Sequence, residues 1–151
     1  DNIVFLFIGS GPYEALIQDE IANGAKNVVL LKPVPRNRYL QLLSACDIAL
    51  VCTVRDVDVP TFPSKTIDYF KASLPIVASV EASSDYGEWL ETWKAGLCSE
   101  AGNLNAFYEN VKKLSLDPDA RRIAGKNGND CFKKEMDVSV VCGNLLKNIG
   151  F

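Results

Sequence analysis

The chain has no histidine, and its five cysteines (Cys46, Cys52, Cys98, Cys131 and Cys142) contain no Cys-x-x-Cys pair. Structural zinc sites draw on those residue types at short spacing, so a zinc-organised fold is set aside. An odd number of thiols lying mostly within apolar segments points instead to reduced, buried cysteines in a cytoplasmic protein. No apolar run approaches the roughly 20 residues that cross a bilayer, and no signal peptide opens the sequence. A broad basic face is missing as well: 16 Lys and Arg stand against 19 Asp and Glu, for a net charge of −3. Nucleic acid is therefore not an expected partner, although a local phosphate pocket needs only one or two cations. What remains is ordinary for a globular protein, with 48% apolar and 23% charged residues in 151. That length permits one domain with a sizeable core.

The apolar runs point to the fold class. Residues 3–8 (IVFLFI) read as a strand buried on both faces of a parallel sheet, with neighbours on either side. Further strands are expected at 28–31, 48–52, 76–79 and 96–98. Helical patterns separate them: one opened by Pro12 and running to about Asn23, one at about 36–45, one entered through Pro63, and one at 88–94 capped by Ser84 or Asp85. Core packing is the expected role of Trp89 and Trp93. Leu104, Phe107, Val111 and Leu114 recur at helical spacing. Asp117-Pro118-Asp119 gives cap, proline and acid in order, the start of a helix reaching about Asn127, and 138–149 forms the last helix. Short connections between alternating elements imply an α/β fold, a Rossmann-like parallel sheet of about five strands with helices on both faces.

Three turns follow strands at the end where ligands bind in open parallel sheets. Gly9-Ser10-Gly11-Pro12 is half of a dinucleotide fingerprint, and equally a turn with glycines for geometry alone. Lys32-Pro33-Val34-Pro35 is the second. The third, in 59–80, carries the most chemistry. Pro63 suits a first helical position, and Lys65 then falls in the first turn, where the macrodipole disfavours a cation. Backbone N–H groups, a hydroxyl from Ser64 or Thr66 and an ammonium in one turn make a phosphate site. Asp68, at i+3 from Lys65, shares the helical surface and suits the vicinal hydroxyls of a ribose. The plainer reading makes Lys65 and Asp68 an exposed pair on a surface helix. Asp56-Val57-Asp58 has the letters of a metal-binding motif but no partner nearby, so no metal is expected.

The exit of that helix, Asp-Tyr-Phe-Lys-Ala-Ser-Leu-Pro-Ile-Val-Ala at 68–78, resembles the Glu-Tyr-Met-Ala-Ala-Gly-Lys-Pro-Val-Val-Ala pattern of retaining, family 4-type glycosyltransferases. In that family the helix carries the second acid of an acid-x7-acid motif, which implies that Asp68 holds the donor ribose. The block 27–51 is similar to the family's strand, "G-x-V-P" loop, helix and following strand. The resemblance implies base contacts from Lys32 and Val34, with Lys32 standing near the family's usual Gly. Gly9 and Gly11 occupy its Gly-x-Gly-Pro turn. The first acid of the motif would fall at Pro60, a departure that leaves Asp56 or Asp58 as the donor-sugar contact. The segment from 95 through 128 resembles the family's C-terminal part in order and spacing.

The resemblance implies a retaining glycosyltransferase with two Rossmann-like halves, the GT-B fold. It would move a sugar from a nucleoside diphosphate sugar, a UDP-sugar being the expected donor, to a saccharide or lipid-linked acceptor in bacterial surface polysaccharide synthesis. Neither cofactor nor metal is implied. The resembled domain begins one strand and one helix earlier, so 1–151 is expected to be a single, truncated C-terminal donor-nucleotide domain, inactive without its N-terminal acceptor domain. Catalytic residues are not assigned within it. The full enzyme would be cytoplasmic, with peripheral association at the inner face of the membrane. A nucleotide-sugar epimerase half-domain of the same architecture and a non-catalytic α/β interaction or regulatory module are the alternatives.

Overall fold

A computed structural model describes residues 3–55 and 58–149. The chain forms two compact units, 1–45 and 46–151. In the first, β1 (Phe5–Ile8) and β2 (Val28–Leu31) pair in parallel, Phe5 opposite Val28 and Ile8 opposite Leu31. Helices α1 (Glu14–Ala22) and α2 (Arg36–Ser44) follow the two strands. Helix α1 starts later than Pro12 because residues 11–13 form a turn of their own, in which the Glu14 amide donates to the Gly11 carbonyl at 3.1 Å. It stops at Gly24, whose φ of +102° lets its amide fold back to the Ile21 carbonyl at 3.1 Å. The expectation that 3–8 is buried on both faces is corrected here. Among the described residues β1 pairs with β2 alone, and Phe7 and Val29 are exposed. A sheet of two strands has only edges, and its apolar runs are covered accordingly little.

The second unit is built on a parallel three-stranded sheet, β3 (Ala49–Cys52), β4 (Ile76–Val80) and β5 (Gly96–Glu100), in sequence order. The five expected strands are therefore present in two sheets, and neither sheet reaches five. Helix α3 (Thr66–Lys71) crosses from β3 to β4 and α4 (Tyr86–Thr92) from β4 to β5. Then come α5 (Leu104–Leu116), α6 (Pro118–Cys131), a π-helical turn at Phe132–Met136 and α7 (Val138–Asn148). Central β4 has Ile76, Val77 and Ala78 fully buried, with Phe70, Tyr86, Leu90 and Leu114 packed in the same core. Asp117 caps α6 as its sequence suggests, accepting from the Ala120 amide at 2.8 Å, with Pro118 in the first helical position.

Two glycines allow close backbone approaches, Gly96 of β5 beside its partner strand β4 and Gly125 of α6 at the end of α3. A Cβ at Gly96 would sit 2.0 Å from the Ile76 carbonyl oxygen, and one at Gly125 2.0 Å from that of Ser73. Ser73 itself has a φ of +56°, closing α3 in the left-handed region, at the place where the resembled pattern has glycine. All five cysteines are free. The expectation of buried thiols is corrected for Cys52 and Cys142, which are exposed; Cys131 alone is fully buried.

Candidate functional site

In the second unit the chain leaves β3 at Cys52, runs through a loop and enters α3 by a tight turn at 63–66. The turn is closed by the Thr66 amide donating to the Pro63 carbonyl at 3.0 Å and Ile67 to Ser64 at 3.4 Å. Pro63 therefore stands one turn ahead of the regular helix, not at its first residue. Ser64 and Lys65 are exposed and Asp68, one turn on, is half-buried. Although the Cys52 residue is exposed, partial desolvation of its sulfur raises the thiol pKa, and the Lys65 ammonium offsets part of the rise, so that cation lies within electrostatic reach of the C-terminal end of β3.

Thr66 does not serve this surface. Its side chain is fully buried and its hydroxyl is bonded to the Tyr86 hydroxyl at 2.8 Å. Of the two hydroxyls expected at a phosphate, Ser64 alone lies on the exposed surface, and Thr66 is a core residue instead. Tyr86 is also fully buried, which pushes its phenol up to about 12 and keeps it a neutral hydrogen-bonding partner. Phe62, just ahead of the turn, sets its ring edge-on against Tyr86 at 5.3 Å and Trp89 at 5.1 Å. Asp58 is exposed, and Asp56 lies outside the described residues.

Beneath the loop lies a group that sequence reasoning passed over as part of a loop. Glu81, directly after β4, is only 4% exposed. One carboxylate oxygen accepts from the Thr53 hydroxyl. The other accepts from the Thr61 amide at 3.1 Å and the Thr61 hydroxyl at 2.7 Å. The Glu81 amide returns a bond to the Thr53 hydroxyl oxygen at 3.1 Å. These donors, led by Thr53, hold the Glu81 carboxyl well below its usual range, at about 2, against the opposing effect of burial. An acid immediately following an apolar strand was the available signal, but its donors lie 20 and 28 residues away in sequence.

In the first unit, Gly9 has a φ of +152°, and nothing lies within 4 Å of where a Cβ would stand at Gly9 or Gly11. The turn after β1 is thus open to close approach. Lys32, after β2, is paired with Glu14 at 2.5 Å, and Glu14 also accepts from Gln18 at 2.8 Å. Glu14, Gln18 and Lys32 rim a cleft of about 310 Å³ floored by Ile21, Ala22 and Leu30. Val34 is half-buried beside the loop.

Residues 1–130 match the family described as "Glycosyl transferases group 1". The chain belongs to that family. Three solved structures share the fold of this group 1 domain. A structure of Anabaena HepE in complex with UDP matches at a TM-score of 0.74 and 15% identity, covering 97% of this chain and 40% of that one. Sucrose-phosphate synthase from Thermosynechococcus elongatus matches at 0.70 and 20%, with 95% and 38% covered. WaaG, a glycosyltransferase involved in lipopolysaccharide biosynthesis, matches at 0.67 and 16%, with 99% and 39% covered. The domain therefore spans about two-fifths of the length of these proteins. No curated protein matches it in sequence. The parallel sheets flanked by helices match GT-B glycosyltransferase domains. No helix among the described residues is long and apolar enough to cross a membrane.

Proposed function

We propose that this domain binds the donor of a retaining glycosyltransferase, a nucleoside diphosphate sugar with uridine as the favoured base. The observation that carries the reading is the turn into α3. In a group 1 chain, it presents Ser64, Lys65 and Asp68 within one turn of backbone, with the Lys65 charge beside the end of β3. The similar HepE fold, solved with UDP, supports the base assignment.

In this proposal Lys65 and Ser64 hold the diphosphate, and Lys65 stabilises the charge that grows on it as the sugar leaves. Asp68 accepts from the ribose hydroxyls. A fixed cation performs the neutralising task that a metal performs elsewhere, so transfer proceeds without one. The acceptor, a saccharide or lipid-linked saccharide of a surface polysaccharide, would be supplied through a second domain of the whole enzyme, working at the cytoplasmic membrane face.

Titrating UDP and uridine into the unmodified chain and into Lys65→Ala tests this. A charge-assisted phosphate contact contributes roughly 1.5–3 kcal/mol, so UDP should weaken about tenfold to a hundredfold while uridine holds its affinity. Equal loss for both ligands would make Lys65 a structural residue and remove the main support for the reading.

A further inference from the structure

The loop between β3 and α3 has to deliver Ser64 and Lys65 to one place, yet it contains no glycine and no regular structure in its described part. Glu81 supplies what the loop lacks. The two residues it grips, Thr53 and Thr61, stand at either end of the loop, so one carboxylate closes the span between them. Thr53 is itself fixed to the sheet by its amide, which donates to the Ser79 carbonyl at 3.0 Å. Past Thr61 the contacts continue without a gap. Ser84 donates its hydroxyl to the Thr61 carbonyl at 3.1 Å and accepts from the Tyr86 amide at 3.2 Å. Tyr86 then meets Phe62 and Thr66 on either side of the turn that carries Lys65.

A buried carboxylate is a costly choice for a fastener. Among the described residues no cation pairs with Glu81, and its stabilisation comes from neutral donors aimed at both oxygens. The donors from Thr53 and Thr61 come from the loop it holds, and together they more than offset the cost of burying the carboxylate, so the ionised group favours the seated loop over the open one.

We propose that Glu81 is a positioning residue of the donor site, seating the loop so that the 63–66 turn presents Lys65 to the diphosphate. The proposal rests on the nucleotide-binding reading above for its ligand, and on the Glu81 contacts alone for its mechanical part.

The test uses the full chain and the variants Glu81→Ala, Glu81→Gln and Thr61→Val, each with and without Lys65→Ala. Amide hydrogen exchange at 61–67 reads the seating of the loop, and UDP titration reads its consequence. Glu81→Ala should speed exchange at 61–67 at least tenfold while β4 and β5 keep their protection, since it strips several bonds at once. It should also weaken UDP about tenfold in the Lys65 background and hardly at all in the Lys65→Ala background. Glu81→Gln, which keeps one acceptor oxygen, should recover most of the affinity. Thr61→Val, which keeps the amide bond and loses the hydroxyl, should show a smaller loss of the same kind and carries the comparison if Glu81→Ala does not fold. Unchanged exchange at 61–67 overturns the proposal. So does the same loss of UDP with and without Lys65, which would make Glu81 a support of the fold in general. Failure of the unmodified chain to bind UDP would sink the nucleotide reading, while exchange would still decide whether Glu81 seats the loop.

Discussion

The turn after β1 and the turn into α3 both leave the C-terminal end of an apolar parallel strand, and they are shaped by opposite means. The first is made by glycine. Gly9 takes a φ of +152°, Gly11 has open space around it, and the nearby Lys32 is committed to Glu14. The second contains no glycine. Its course is dictated from outside by a buried carboxylate, a Tyr86–Thr66 hydroxyl pair and the Phe62 ring. A turn built from local conformational freedom can be recognised by its letters; one built from tertiary contacts cannot. The first is adaptable and the second is preset, which suits backbone approach in one and placement of a charge in the other.

The support under α3 is the place to break this contrast hardest. Gly125→Ala puts a Cβ 2.0 Å from the Ser73 carbonyl oxygen, so α6 must back away from the end of α3. The loss should be about 3 kcal/mol in urea denaturation, because overpacking of backbone outweighs the gain of about 1 kcal/mol in helix propensity. Gly11→Ala, with nothing within 4 Å, should stay within about 0.5 kcal/mol. Comparable losses at both would show that the preset turn is no more constrained than the glycine turn.

A smaller effect separates the two by pH. The Glu81 carboxyl titrates at about 2 in the folded chain against an ordinary value of 4.5. A depressed pKa gives stability that is fully present above the unfolded value and is lost as pH falls through the folded one. The advantage of the unmodified chain over Glu81→Gln should therefore be constant from pH 7 to about 5 and shrink between about 4.5 and 2. Urea midpoints at pH 7, 4 and 3 measure it, and a gap that stays constant across that window would mean Glu81 ionises normally.

The smallest effect has the opposite sign. Ser73 sits at φ +56°, where a side chain is strained and glycine is not. Ser73→Gly should stabilise the chain by about 0.5–1 kcal/mol, the relief of left-handed strain less the added freedom of the unfolded chain. Destabilisation there would show that the Ser73 side chain contributes more than its backbone strain costs.

Strand runs and caps were legible because they are local. IALVC read directly as β3 and IVAS as all but the last residue of β4, and Asp117-Pro118 announced α6. Lys65 and Asp68 were singled out by their spacing, and the structure has them at the cap and in the first turn of α3. What escaped depended on distant partners. Whether Ser64 or Thr66 faces solvent was open in the sequence, since the deciding residue is Tyr86, twenty positions on. Glu81 passed as a loop residue because Thr53 and Thr61 are remote in sequence. Helix α6 was expected to end near Asn127 and runs to Cys131, because its glycines look like a terminus until Phe70 and Ser73 are seen against them.

That helix has a consequence for the order of folding. Gly125, Asn127, Gly128 and Asn129 are poor helix formers crowded into five positions, so the second half of α6 has little tendency to coil up alone. It gains helical form through its neighbours. Gly128 admits the Phe70 ring, whose nearest carbon would be 2.5 Å from a Cβ there, while Asn129 donates to the Phe70 carbonyl at 3.0 Å and Asn127 to that of Lys94 at 3.0 Å. None of these acceptors is in place until α3 and α4 have crossed the sheet. The second half of α6 is thus a late element of the fold, and perturbing Asn127 or Asn129 should accelerate unfolding in a chevron while leaving the refolding rate nearly unchanged.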